Sequence, residues 1–284
     1  MAVTCSVLGN QGRIGNQLFQ VAGTVGLARQ NNLEVSLPDW DYRPYFSVPG
    51  EWWTPPPTGE PLIDAMSLTP EVHPVFRNYL QNFGYWSDIQ DDIWAWFQPS
   101  EMALGIMRQE RYDPFWVEWQ NDLHALVSLH VRRGDNVTNP PGTIKCLEDA
   151  YFLRAVESVE AEVTRDPLFM VFSDDMEWCR AVLPGLLPGR DLVFIDPNYI
   201  RPKEHLPEYQ TSVPMDWVDM LLMAECDYHI LSNSTYSWWG AFLSPSVAHP
   251  RYPSYWFGHR YTPDFDPSVL FPSDWVKIPC SEAP

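Results

Sequence analysis

From Leu126 onward, short apolar runs alternate with amphipathic segments of helical period, and this alternation constrains the fold more than any other feature. The runs LVSLHV, LFMVFS, LVFI and YHILS have the length and composition of buried strands. The segments CLEDAYFLRAVESVEAEV, DMEWCRAVL, MDWVDMLLMAEC and TYSWWGAFL, which alternate with them, are typical of helices. Strands and helices that alternate in this way predict an α/β fold with a doubly wound parallel sheet.

The beginning of the chain repeats the pattern once. VTCSVL predicts a strand, GNQGRIGN a glycine turn and QLFQVAGTVGLARQ a helix. Residues 79–125 are predicted to be mostly helical, and the proline-rich segment from about 251 is expected to wrap back over a lobe. We therefore predict two Rossmann-like lobes with a cleft between them, residues 1–120 and 121–284.

Residues 38–61 contain too much proline for a helix or a central strand, which predicts a long ordered loop with exposed aromatic side chains. Two interpretations of these aromatic residues stay open. They stack on sugar faces, or they anchor the loop to the core, and the second is the commoner role. The residues concerned are Trp40, Tyr42, Tyr45, Trp52 and Trp53.

Charge and cysteine content exclude several classes of function. The chain has 37 acidic and 18 basic residues, a net charge of −19, which disfavours nucleic-acid binding and polybasic membrane contacts. Its five cysteines form no zinc pattern or disulfide framework and suit a reducing compartment. We find no signal peptide and no run approaching the roughly 18 apolar residues of a membrane span, so we expect a soluble, cytoplasmic protein.

Four polar clusters follow predicted strands, and ligands of parallel sheets bind at the carboxyl ends of strands. The clusters are residues 12–17, 130–135, 173–175 and 232–235. The glycine turn GRIGN suits an anion, but it is neither GxGxxG nor a P-loop, and a plain strand–helix turn is an equal alternative. Ser232, Asn233, Ser234 and Thr235 precede a helix and predict an anion site; the tryptophans that follow pack under it or belong to the core.

Arg132 and Arg133 come directly after a strand, where they suit bidentate recognition of phosphate, with His130 on the side of Arg132. Surface salt bridges are the alternative in so acidic a chain. Asp174 and Asp175 have three possible roles: metal ligand, partner of a guanine base, or helix cap.

These motifs together resemble one family. GRIGNQLFQVA, HVRRGD, FSDD and SNSTYSWWGAFL, in that order, resemble the α1,2-fucosyltransferases of family GT11, and the soluble bacterial-type members among them. The resemblance runs from residue 12 to about 243. It implies a GT-B-like fold and inverting transfer of L-fucose from GDP-β-L-fucose to the 2-hydroxyl of a terminal β-galactoside. It also implies that no divalent metal or other cofactor is required, and that the N-terminal lobe binds mainly the acceptor.

The resemblance also implies roles for single residues. Arg132 would contact the pyrophosphate, and His130 and Asp174 would lie near the nucleoside. Asn233, Ser234 and Thr235 would belong to the phosphate site, with Asn16 and Gln17 beside the transferred sugar or the acceptor. Without a metal, arginines and helix N-termini must stabilise the departing diphosphate, so we expect a local positive site in this acidic chain.

The catalytic base is not assigned. Asp135 is a candidate, although a carboxylate beside two arginines also serves to orient them, and the following NVTNPPGT contains no acid. Three alternatives remain: another GDP-sugar transferase with a different acceptor or linkage, a silent nucleotide- or glycan-binding protein, and a metal-dependent transferase of GT-A type. The last needs a DxD motif, for which DWD at 39–41 is the only candidate.

Overall fold

The computed structural model describes residues 1–55, 60–69, 78–110, 123–140, 143–195, 216–258 and 267–280. The chain forms two compact units. The first comprises Met1–Leu104 with Ser268–Ser273, and the second Gly105–Pro267 with Asp274–Pro284. The predicted lobe boundary near residue 120 lies outside the described residues.

The first unit contains a three-stranded parallel sheet in the order β2-β1-β3. Its regular elements are β1 (Ala2–Thr4), α1 (Ile14–Gln30), β2 (Glu34–Val35), β3 (Leu62–Asp64) and α2 (Gln90–Trp96). Helix α3 (Glu101–Glu110) begins in the first unit and continues into the second, which starts at Gly105. Helix α1 begins earlier than predicted, so Gly15 and Asn16 belong to the helix and not to the turn. The helix is buried over most of its length, and at Gly26 a side chain would overlap the carbonyl oxygen of Tyr85. Glycine at position 26 therefore allows helix α1 to pack closely against the backbone at Tyr85.

The predicted helical stretch 79–125 is only partly helical. Two 3-10 turns, Phe83–Tyr85 and Ser87–Ile89, precede α2 and α3. Residues 111–122, which belong to the same prediction, lie outside the described residues.

The proline-rich loop packs its aromatic side chains inward. Trp40, Tyr42, Tyr45, Trp52 and Trp53 are all at most 9% exposed. The Trp40 ring stacks on the Phe46 ring, with centroids 5.8 Å apart. The expected exposure of these residues is wrong. The described part of the loop, residues 38–55 and 60–61, contains two 3-10 turns and one isolated bridge, and it is stabilised by burying its rings. The interpretation as loop anchors is confirmed.

The second unit is built on a six-stranded sheet in the order β6-β5-β4-β7-β8-β9, with every pair parallel. The parallel sheet predicted from the alternation is confirmed. Its elements are β4 (His124–Val131), α4 (Asp149–Glu160), β5 (Asp166–Ser173), α5 (Met176–Leu186), β6 (Asp191–Phe194), α6 (Asp216–Ala224), β7 (Tyr228–Ile230), α7 (Thr235–Phe242), β8 (Arg251–Pro253) and β9 (Val276–Ile278).

The register of this sheet determines which strand ends meet. His130 on β4 is paired with Phe172 on β5, and Leu129 with Ile230 on β7. The carboxyl ends of β4, β5 and β7 therefore lie side by side at one edge of the sheet. Polar segments follow each of these ends, as the sequence predicts.

The segment after residue 250 adds two strands to the sheet, which the sequence did not predict. Ser268–Ser273 of the same segment belong to the first unit. The Arg251 side chain on β8 is fully buried, and its guanidinium pairs with Glu162 at 2.7 Å and donates to the Ser158 carbonyl at 3.0 Å. These contacts join β8 to the end of α4. Strands of three residues, one of them containing proline, give no periodic signal in the sequence.

Within the described residues, no helix combines the length and the apolar composition that crossing a membrane requires.

Candidate functional site

Ser232 joins the ends of two neighbouring strands. Its hydroxyl oxygen accepts a hydrogen bond from the Arg132 backbone N–H at 3.0 Å and donates to the His130 carbonyl at 2.7 Å. Ser232 is completely buried, so both bonds are shielded from water. The residues that follow β4 and β7 are thereby held together, although about one hundred residues separate them in the chain.

Two carboxylates hold the Arg132 guanidinium. Its Nη1 contacts Asp174 Oδ2, and its Nη2 contacts Asp135 Oδ1. The second oxygen of Asp174 accepts the Arg133 backbone N–H at 2.8 Å. The Arg132 side chain is 17% exposed and that of Asp135 is 62% exposed, so only Asp135 faces solvent freely. Asp174 thus fixes both the Arg132 side chain and the backbone next to it.

Gly134 permits this arrangement because it has no side chain. Its φ is +22°, and a Cβ placed there would overlap Asp174 Oδ2. Arg132 Nη1 would also lie only 3.1 Å from that Cβ. The sequence offered a signal in the glycine between arginine and aspartate, but only the structure gives its reason.

Arg133 is held in a different way from Arg132. Its Nε donates to Asp175 Oδ2 at 3.0 Å, and its guanidinium carbon lies 4.1 Å from the Trp178 ring centroid. Asp175 also caps helix α5, since its Oδ1 accepts the Trp178 backbone N–H at 3.1 Å. The salt-bridge alternative therefore applies to Arg133, and the helix-cap alternative to Asp175.

The expected local positive site is wrong for these side chains. The two arginines are surrounded by Asp135, Asp174 and Asp175, which gives a formal sum of −1 for the five groups. An anion at this edge is therefore attracted by directed N–H groups and not by an excess of charge.

His130 is a buried, neutral imidazole. Burial, and then the charge of Arg132, lower its pKa to about 3. Its Nδ1 has no hydrogen-bond partner among the described residues, and its ring centroid lies 5.7 Å from that of Tyr236. At neutral pH its ring therefore carries one N–H donor and one acceptor nitrogen.

The segment after β7 begins helix α7 and is tied to neighbouring loops. The Ser234 hydroxyl caps the helix by accepting the Tyr236 backbone N–H at 3.3 Å, and Thr235 is the first helical residue. Asn233 is 6% exposed and donates to the Lys145 carbonyl at 3.0 Å. Trp238 and Trp239 are fully buried, which confirms their assignment to the core.

Asn16 and Gln17 belong to the first unit, and their described contacts are with the protein itself. The Gln17 amide donates to the Gly12 carbonyl at 2.9 Å and accepts the Trp40 indole N–H at 2.8 Å. Asn16 Oδ1 accepts the Gln81 amide at 2.9 Å. The Gln17 side chain stabilises the glycine turn, at which Gly12 has a φ of +77°, and Asn16 packs beside Gly12.

A pocket of about 330 Å³ lies against Arg133 in the second unit. The sequence did not predict it, since residues of ordinary loop composition form its walls. Within the described part of the chain, no three or more histidine, cysteine or acidic residues are grouped so that they could hold a metal ion.

The architecture resembles that of a solved structure. A variant of Arabidopsis thaliana FUT1 in complex with GDP matches with a TM-score of 0.52 and 13% identity, covering 93% of this chain and 72% of that one. At this identity the likeness concerns the fold alone, and it places the chain in the GT-B class.

Sequence comparison gives the family. An α-1,2-colitosyltransferase of Escherichia coli is 32% identical over 160 residues, 54% of this chain and 47% of the relative. The O-antigen biosynthesis glycosyltransferase WbnK of Escherichia coli is 34% identical over 174 residues, 56% of this chain and 49% of the relative. The match thus spans about half the length of these two relatives.

A galactoside 2-α-L-fucosyltransferase, SEC1 of Bos taurus, is 29% identical over 308 aligned positions, 94% of this chain and 72% of the relative. The family model of glycosyl transferase family 11 matches residues 85–248, which include β4 to α7 and every polar strand end of the second unit. The chain therefore belongs to glycosyl transferase family 11.

Proposed function

We propose that this protein transfers L-fucose from GDP-β-L-fucose to the 2-hydroxyl of a terminal β-galactoside, with inversion and without a divalent metal. Family membership supports the reaction class, and the relative from Bos taurus, named for this activity, aligns over 94% of the chain. The observation that carries the proposal is the Arg132 guanidinium, held by Asp174 and Asp135 where the ends of β4, β5 and β7 meet.

The proposed chemistry places negative charge at this edge. The acceptor hydroxyl oxygen forms a bond to the anomeric carbon while the bond from that carbon to the phosphate oxygen breaks. GDP leaves with an additional negative charge, and the hydroxyl proton passes to solvent or to a base. N–H donors that are already oriented stabilise such charge without reorganising. Arg132 and the N-terminus of helix α7, with Ser234 and Thr235, are the donors in this proposal.

Other residues act around these donors. His130, a neutral imidazole near the end of β4, lies near the nucleoside. Asp174 acts through Arg132, because each of its oxygens is already bonded within the protein. Asp135 orients Arg132 through its Oδ1. Only the other carboxylate oxygen of Asp135 then remains to accept the proton of the acceptor hydroxyl. Asn233 holds the loop at Lys145, Gln17 stabilises the glycine turn of the first unit, and Asn16 is bonded to Gln81.

We assign the nucleotide sugar to the second unit, whose sheet edge contains the donors described above. The first unit is assigned mainly to the acceptor. The cytoplasm is the compartment we propose, from the free cysteines of the described chain.

A second donor deserves a parallel assay. The colitosyltransferase relative is 32% identical over half of this chain, and colitose is fucose without its 3-hydroxyl. A protein specific for GDP-colitose would use the same phosphate donors and differ only around the sugar ring.

The test is a product assay with EDTA present. Purified protein is incubated with GDP-fucose or GDP-colitose and a panel of β-galactosides; GDP release is measured first and the linkage is then determined by NMR. We expect an α1,2-fucosylated product in EDTA, with Arg132→Ala as the inactive reference. A different linkage, turnover that EDTA abolishes, or GDP binding without turnover of either donor would refute the proposal.

A further inference from the structure

The pocket beside Arg133 has no role in the donor chemistry described above. Six residues line it: Arg133, Asn136, Val137, Asn139, Lys145 and Cys146. Its volume of about 330 Å³ lies at the lower end of the range of small-molecule sites, roughly 300–1,000 Å³. It therefore fits one sugar ring better than a whole nucleotide sugar.

One buried donor in its wall lacks a partner. Asn136 is only 5% exposed, and its Nδ2 makes no hydrogen bond to any described residue. Its Oδ1 accepts a long bond of 3.4 Å from Asn139 Nδ2, so exchanging the two Asn136 amide atoms would bring two donors together. A buried N–H without an acceptor is destabilising, and a ligand or a water that supplies the oxygen removes this cost.

The composition of the wall indicates the ligand. It offers two amides and two cationic side chains, and among the lining residues that the structure describes none is acidic or aromatic. A nucleobase would need a ring to stack on or a carboxylate to pair with, whereas hydroxyl groups are satisfied by amides and N–H donors.

Two connections link the pocket to the proposed phosphate donors. Arg133 lines the pocket, while the Arg132 guanidinium beside it in the chain faces Asp174, and Asp174 binds both residues. Lys145 lies on the pocket wall. Its backbone carbonyl accepts a hydrogen bond from the side-chain amide of Asn233, in the segment that precedes helix α7. A transfer reaction requires the two substrates to be held next to each other.

We propose that this pocket binds the terminal galactose ring of the acceptor, and that the buried Asn136 amide turns towards the ring so that its Nδ2 donates to one of the hydroxyls. The inference rests on the proposed function and refines it. The second unit then contributes part of the acceptor site, in addition to the contribution assigned to the first.

Binding of methyl β-D-galactopyranoside tests the proposal independently of turnover. Its affinity is measured by NMR titration in the presence of GDP, for the wild type and for Asn136→Leu, Lys145→Met and Thr138→Ala. Thr138 lies in the same turn, is exposed and does not line the pocket, so its variant is the matched control.

We expect Asn136→Leu to weaken galactoside binding about tenfold and Lys145→Met to weaken it severalfold, with GDP affinity and melting temperature near those of the wild type. Thr138→Ala should bind like the wild type. Wild-type affinity in both pocket variants, or no galactoside binding by the wild type, overturns the proposal.

The outcome is distinguishable from failure of the proposed function. If galactoside binds in the pocket but no donor sugar is transferred, the pocket stands and the function fails. If fucose is transferred while Asn136→Leu leaves the KM for the galactoside unchanged, the function stands and the pocket proposal fails.

Discussion

Replacing Gly134 with alanine tests the arrangement around Arg132 most directly. The new Cβ would overlap Asp174 Oδ2, so the carboxylate must move away from the Arg132 guanidinium and from the Arg133 N–H. We expect a loss of about 2 kcal/mol in the free energy of unfolding. About 1 kcal/mol comes from the positive φ and the rest from charge-assisted hydrogen bonds that are partly exposed.

The effect on catalysis should be larger. An Arg132 side chain that is no longer fixed stops acting as an oriented donor, a loss of about 3 kcal/mol in transition-state stabilisation, or roughly a hundredfold in kcat/KM. The assay is steady-state GDP release with saturating acceptor, together with urea unfolding of each variant.

Gly189→Ala provides the matched control. Gly189 has a φ of +76°, and no atom lies within 4 Å of the position its Cβ would take. This variant should lose about 1 kcal/mol of stability and keep its activity.

Removing the Asp174 carboxylate tests whether its overlap with the new Cβ causes the loss of activity in Gly134→Ala. Gly134→Ala combined with Asp174→Ala should be no less active than Asp174→Ala alone, because the overlapping oxygen is gone. Wild-type kcat/KM in Gly134→Ala, from protein that is folded, would refute the reasoning.

Four further predictions concern Arg132, Asp135, Arg251 and His229. Arg132→Ala should reduce kcat/KM about a hundredfold while leaving the fold intact, measured by GDP release and circular dichroism; near wild-type turnover contradicts its role. Asp135→Asn should tighten GDP binding about threefold by calorimetry, because an exposed competitor for Arg132 is neutralised; weaker binding contradicts this. Arg251→Met should cost about 2 kcal/mol in urea unfolding without changing the KM for the donor, because the lost contacts are all structural. Burial lowers the pKa of His229 to about 3, below the value near 6.5 of an unfolded chain, so its contribution to stability is complete above about pH 6.5 and is lost as the pH falls. Between pH 7.5 and 5.5 the wild type should therefore lose about 1 kcal/mol more than His229→Gln, and equal losses would contradict the assignment.

The sequence predicted the parts of this molecule that depend on local patterns. The buried runs before Arg132 and Asp174 have the composition of central parallel strands, so β4 and β5 were found with their order along the chain. The polar segments at their ends follow from the same pattern.

The sequence could not show which partner each polar side chain chooses. Arg132 and Arg133 are the same residue type at adjacent positions, yet one is fixed by Asp174 and Asp135 and the other by Asp175 and Trp178. The burial of Trp52 and the strand at Arg251 were missed for a related reason. Both depend on tertiary packing, and both lie in proline-containing segments that show no hydrophobic periodicity in the sequence.

The position of Ser232 has a consequence for how the protein folds. Its hydroxyl bonds Arg132 and His130 across about one hundred residues of chain. Contacts between such distant positions form only after a large loss of chain entropy, which is characteristic of slow steps in folding. During synthesis, Arg132 and Arg133 leave the ribosome long before Ser232, whose hydroxyl bonds the Arg132 backbone, has been added to the chain. A chain arrested before residue 228 contains Arg132, Arg133, Asp135, Asp174 and Asp175 but lacks β7 and Ser232. We expect these charged groups not to be aligned in such a chain.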